Sequence, residues 1–138
     1  MREFRLTTTG AAGECAVVQV TGEVDVYTAP MLRERIQKLA AGGAVHLIVD
    51  LGQVDFLDST GLGALVGGLK RLREDGGSLT LVIKTPRILR TFEIIGLTKA
   101  FTVWPSVAAA VSADPHWHKT VEAQAGSVHE WCRQQGLA

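Results

Sequence analysis

Long apolar runs are missing from this 138-residue chain. The longest uncharged apolar segment, Gly61 to Leu69, falls far short of the ~20 residues a membrane span needs. Met1-Arg2-Glu3-Phe4-Arg5 has none of the apolar core of a secretory signal. A cytoplasmic protein with no membrane partner is expected. Cysteine is scarce: Cys15 and Cys132 stand far apart, and without a signal segment two reduced thiols are the simpler expectation than a disulfide. Net charge is absent too, with 14 Lys and Arg against 14 Asp and Glu. That argues against nucleic acid as the main partner, because phosphate binding needs a basic surplus on some face.

Several chemical signatures are also lacking. Gly61-Leu62-Gly63-Ala64-Leu65-Val66 sits where a dinucleotide fingerprint would, between a strand and a helix. Val66 replaces the third small residue, however, and no acidic residue is well placed at a strand end ~20 positions on. Lys70 lacks both the glycine spacing before it and the Ser/Thr after it that a phosphate-binding loop requires. There is no Gly-x-Ser-x-Gly elbow. Of the four histidines, His46 falls mid-strand and His116, His118 and His129 lie near the C-terminus, so none is positioned as a base for a serine. His116-Trp117-His118 and His129-Glu130-Trp131-Cys132 offer metal-ligand types but match no compact zinc spacing. No catalytic residue, metal or cofactor is expected.

What is present is a clear alternation of strands and helices. Apolar residues make up 46% of the chain, enough for the core of one domain. Phe4 to Thr8 reads as a short edge strand. Cys15 to Thr21 alternates, with Ala16, Val18 and Val20 towards a core and Gln19 and Thr21 towards solvent. Gly22 breaks that pattern. Thr28 is a plausible helix cap with Pro30 in the first turn, and Leu32, Ile36 and Leu39 recur at helical spacing until Gly42-Gly43. Val45 to Leu51 is apolar at most positions, as in a central strand covered on both faces. A helix follows Ser59 with the stripe Leu62, Leu65, Val66, Leu69 and Leu72, ended by Gly76-Gly77. Leu79 to Ile83 is strand-like. Thr85-Pro86 opens a helix with Ile88, Leu89, Phe92 and Ile95 on its apolar face. Phe101 to Trp104 is a short strand, and Pro105-Ser106 starts an alanine-rich helix. This order predicts an α/β fold with a largely parallel sheet over residues 1–113. Asp114-Pro115 marks a boundary. Residues 114–138 are expected to form an extension that is disordered or loosely helical, with Gly126-Ser127 weakening the helical spacing of Val121, Ala125, Val128 and Cys132.

Asp58-Ser59-Thr60-Gly61 is the most informative stretch. It lies between a strand end and a helix start, rigid elements that would hold an exposed hydroxyl for another protein to reach. Capping alone would account for a serine there. A modification site accounts for it as well: a helix start tolerates a phosphate, whose ~−1.5 to −2 charges would repel a partner fitted to a neutral hydroxyl.

Gly22-Glu23-Val24-Asp25-Val26-Tyr27-Thr28-Ala29-Pro30, Leu47-Ile48-Val49-Asp50-Leu51 and Val54-Asp55-Phe56-Leu57-Asp58-Ser59-Thr60-Gly61-Leu62-Gly63, in that order, resemble the anti-sigma factor antagonists of the STAS-domain family. The resemblance covers residues 4 to 112. It implies a single STAS-like domain, a mixed, mostly parallel sheet of about five strands with about four helices. It also implies partner switching: the unmodified protein binds an anti-sigma factor serine kinase and frees the sigma factor. The kinase, with its own ATP and magnesium, phosphorylates Ser59 and lets go, and a PPM-type serine phosphatase reverses the modification. Asp25, Thr28, Asp58, Ser59, Thr60, Gly61 and Gly63 match the positions expected around the partner surface. Leu57, Phe56 and Met31 are candidates for apolar contact, with core burial the stronger expectation for Phe56. A homodimer through an exposed first strand is also open. Two other readings remain: a non-phosphorylated scaffold acting with a transport system, and a small nucleotide- or ligand-binding module with a deep pocket at the strand C-terminal ends.

Overall fold

The structure, a computed structural model, describes residues 3–137. Five strands form one sheet: β1 (Arg5–Ala11), β2 (Cys15–Val24), β3 (His46–Leu57), β4 (Ser78–Val82) and β5 (Thr102–Trp104), in the spatial order β1-β2-β3-β4-β5. β1 and β2 are a hairpin and pair antiparallel. The remaining pairs are parallel, joined by helical crossovers as parallel pairing demands. The helices are α1 (Ala29–Ala41), α2 (Ser59–Glu74), α3 (Pro86–Ile94), α4 (Val107–Ala113), α5 (Pro115–Ala125) and α6 (Val128–Gln135), with one 3₁₀ turn at Leu97–Lys99. The sheet is therefore as expected, and six α-helices stand where about four were. No helix among the described residues is long and apolar enough to cross a membrane.

The near-continuous apolar run of β3 has a direct cause: both of its faces are covered. Leu47 and Val49 join Val18, Val20, Leu79 and Leu81 beneath Leu32 and Ile36 of α1, Leu65 and Leu72 of α2, and Phe92 of α3. Ile48 points the other way, joining Cys15, Val17 and Val82 in a second core. Of the two expectations for the extension, disordered or loosely helical, the structure shows helix, and packed rather than loose. The segment from Asp114 forms α5 and α6, and with α4 it roofs this face. Trp117 and Trp131 are fully buried there, stacked edge to face with ring centroids 6.0 Å apart.

The two cysteines lie in the same core as free, buried thiols. Burial pushes the Cys15 thiol up to about 11, against an opposing hydrogen bond from Thr120, and burial raises Cys132 as well. Both stay protonated and poorly nucleophilic near neutral pH.

Three strands run past their expected ends, β1 to Ala11 rather than Thr8. Gly22 does not end β2. The strand absorbs it, with φ +96°, between register irregularities at Gln19/Thr21 and Gly22/Glu23, and pairing continues to Val24↔Leu57. β3 accordingly runs on past Leu51 to Leu57, beyond the last β4 partner, Asp50↔Val82. At the other end of the sheet, a Cβ on Gly77 would stand 1.9 Å from the Val45 carbonyl oxygen. Only glycine lets the chain leave α2 so close to the strand beside it.

Candidate functional site

Val24 and Leu57 end adjacent parallel strands, and the Asp58 N–H donates to the Val24 carbonyl at 3.1 Å, locking the two exits together. Leu57, offered as a contact residue by the sequence, is instead buried in the core beneath them. One exit leads directly into α2 and the other into the loop before α1.

At the first exit the capping residue is Asp58, not Ser59. Asp58 has the extended backbone of an N-cap (φ −101°, ψ −173°), and its Oδ1 accepts from Thr60 N at 2.9 Å and Gly61 N at 3.1 Å. The Thr60 hydroxyl donates to the same oxygen. That hydroxyl first, then the Gly61 and Thr60 N–H groups, hold the Asp58 carboxyl below its ordinary range. A depressed carboxyl pKa means that the charged cap contributes above the ordinary carboxylate range and is lost as pH falls through the lowered value. Ser59 is thus the first residue of α2, is exposed, and takes no part in the cap. The capping explanation of this serine is removed.

Gly61 is buried and fixes how α2 seats on the strands. A Cβ there would meet Leu57 Cδ1 at 2.5 Å, Val24 Cγ1 at 2.8 Å and the Val24 carbonyl oxygen at 3.1 Å. Gly63 is exposed, with nothing within 4 Å of its would-be Cβ. The two glycines should therefore respond oppositely to alanine. Gly61→Ala is expected to cost about 1–3 kcal/mol by overpacking, while Gly63→Ala is expected to gain about 0.5–1 kcal/mol of helix stability. Parallel thermal melts check this, and equal shifts in the same direction would contradict the packing.

The second exit is a tight loop whose polar groups face inward. Asp25 Oδ1 accepts from Tyr27 N at 2.9 Å and Thr28 N at 3.1 Å. Thr28 Oγ1 donates to the Glu23 carbonyl at 2.8 Å and accepts from Asp25 N at 2.9 Å. Thr28 occupies the cap position of α1 but makes no side-chain cap bond, contrary to the simple capping expectation. Asp25 and Thr28 shape the loop, and what they turn outward is apolar: Tyr27 is 84% exposed and Val26 58%. Met31, in the first turn of α1, is 52% exposed, and Phe56, just before the first exit, is 47% exposed rather than in the core. Sequence reasoning missed Val26 and Tyr27. Their signal was an apolar pair enclosed in an Asp-x-x-Thr turn, where packing cannot use them.

Asp58, Ser59, Thr60, Gly61 and Gly63 thus line one helix start, and Asp25 and Thr28 hold the neighbouring loop. An open cleft of about 350 Å³ does lie beyond the end of β4, lined by Ile83, Lys84, Thr85, Pro86, Leu89 and Pro105, but none of the residues around Ser59 lines it.

The family model described as STAS domain matches residues 7–110. An anti-sigma-B factor antagonist of Bacillus subtilis is 48% identical over 80 residues, which is 58% of this chain and 72% of that protein. The anti-sigma-B factor antagonist of Listeria monocytogenes is 42% identical over 79 residues, 57% of this chain and 69% of that protein. A solved anti-sigma factor antagonist from Mycobacterium paratuberculosis superposes with a TM-score of 0.73 at 32% identity, covering 80% of this chain and 93% of that one. The phosphorylated form of Bacillus SpoIIAA shares the fold, with a TM-score of 0.64 at 21% identity, covering 80% of this chain and all of that one.

Proposed function

We infer that this chain, which belongs to the STAS domain family, works as an anti-sigma factor antagonist, a regulator whose task is to bind. Its unmodified form captures an anti-sigma factor serine kinase and so releases the sigma factor. The kinase, supplying ATP and magnesium, phosphorylates Ser59 and thereby loses its hold, and a PPM-type serine phosphatase restores the binding form. The outer edge of β1 gives a homodimer its route, by strand pairing.

One observation carries this reading. Asp58 does the capping, so the Ser59 hydroxyl is exposed at the first position of α2 with no structural duty there. A group that can be modified without loss of the fold suits a switch. The exposed Val26, Tyr27, Met31 and Phe56 supply the apolar area a partner would cover. Gly63, bare on the helix surface, lets a partner's main chain come close.

Incubation with an anti-sigma factor kinase and ATP is expected to add one phosphate to the wild type and none to Ser59→Ala, read by intact mass. Equal phosphorylation of both would sink the assignment to Ser59. No phosphate on either would favour a scaffold that acts without modification.

A further inference from the structure

The structure brings together three residues that no sequence spacing connects. Glu14 ends the turn between β1 and β2, His46 opens β3, and His116 lies in the first turn of α5. We propose that Glu14, His46 and His116 form a divalent transition-metal site that ties the α5–α6 segment to the sheet.

The geometry is close to what such an ion requires. Zinc bonds to nitrogen and carboxylate oxygen at about 2.0–2.2 Å, which sets neighbouring ligand atoms roughly 3.3 Å apart in a tetrahedral site. His116 Nε2 and Glu14 Oε2 already stand 3.3 Å apart. One ligand atom from each of the three residues falls within 4.8 Å of the others, so side-chain rotation alone closes the set. This is the sole group of that kind among the described residues. Two imidazoles and a carboxylate suit zinc and its neighbours in the first transition row rather than magnesium or calcium.

The surroundings support the same assignment. His46 Nδ1 lies 3.0 Å from Ser78 Oγ. With Nδ1 donating to that hydroxyl, the Nε2 lone pair is free for a metal, and the ring is oriented by an outer hydrogen bond as ligating imidazoles usually are. The two imidazole rings are packed at a centroid distance of 4.3 Å. Asp114 caps α5 with one carboxylate oxygen, Oδ1, which accepts from His116 N and Trp117 N. His118 is engaged with Glu122 one turn on. Glu14 and His116 are exposed, so ions can enter and water can complete the coordination.

The site lies at the start of β3, at the opposite end of that strand from Ser59. Its role would be to fasten the roof of the second core, independently of the switch. Calorimetric titration of zinc chloride into the full chain is expected to show one saturable equivalent per chain. His116→Gln and Glu14→Gln, both surface changes, are each expected to weaken it at least tenfold. Zinc should raise the melting temperature of the wild type and leave that of His116→Gln unmoved. Absence of saturable binding, or equal binding by wild type and both variants, overturns the proposal.

Discussion

Trp131→Ala is expected to destabilise the domain by about 3–5 kcal/mol, a fall in melting temperature on the order of 10–20 °C for a chain of this size. Trp131 is wholly buried, and its ring meets Trp117 edge to face at 6.0 Å. Around the pair are Val17, Ile48 and Val82 of the sheet and Val107 and Val111 of α4. The strands cannot move in to fill the space, because their other face is packed against α1, α2 and α3. The lost ring therefore leaves a cavity as well as lost transfer energy. Trp131→Phe should cost less. Neither indole N–H of the pair has a hydrogen-bond partner among the described residues, and an unmet buried donor costs about 1–3 kcal/mol. Phenylalanine keeps much of the ring and removes that donor. A second readout is thiol labelling: Cys15 and Cys132 sit under the same roof, so Trp131→Ala should speed their reaction with a thiol reagent. A melt within about 2 °C of wild type, with labelling unchanged, would mean that α6 does not seal this face.

Why this core escaped the sequence is instructive. Gly126-Ser127 reads as a weak point in a single tail helix. In the structure it is a pair of helix ends: Gly126 closes α5 with φ +87°, and Ser127 Oγ accepts from Glu130 N at 3.1 Å to open α6. Two short helices carry too little periodic pattern to announce an apolar face, and what buries Trp117 and Trp131 is a sheet surface built from Val17, Ile48 and Val82, between 35 (117 − 82) and 114 (131 − 17) positions earlier in the chain. The first face was legible because α1 and α2, at 13 and 16 residues, are long enough to show their stripes, and because β3 is apolar at most positions, as a strand covered on both faces is.

The site was partly legible for related reasons. Asp58 and Ser59 are both good cap residues, and adjacency hides which of them has the extended backbone. Phe56 was expected in the core because it follows an apolar strand, but β4 ends opposite Asp50, so one flank of β3 at Phe56 has no neighbouring strand. His46 and His116 stand 70 positions apart (116 − 46), and only the docking of α5 makes them neighbours.

Ser59→Glu is expected to leave the fold intact and to weaken binding of the anti-sigma factor kinase about 100-fold, or ~2.7 kcal/mol. For the fold, two small terms oppose each other. An acidic residue in the first turn of a helix gains about 0.3–1 kcal/mol from the helix dipole. The Asp58 carboxylate beside it, held ionised by its cap bonds, repels it. That carboxylate already takes the Thr60 and Gly61 N–H groups, so an added anion finds few free donors at the helix start and stays directed at solvent. The melting temperature should therefore move by no more than about 4 °C. At the interface nothing offsets the charge. A partner fitted to a neutral hydroxyl must desolvate a second anion next to Asp58, and an unpaired buried charge costs several kcal/mol. Phosphoserine, with ~−1.5 to −2 charges, should act more strongly than glutamate. Ser59→Gln separates charge from bulk: of similar size but neutral, it should retain most of the affinity. Added salt should recover part of the loss in the glutamate variant and little in the glutamine one, since screening acts on charge alone. Equal weakening by both substitutions would make Ser59 a steric contact rather than an electrostatic gate. Unfolding of Ser59→Glu would place the serine inside the fold's own support and end the case for a switch at this position.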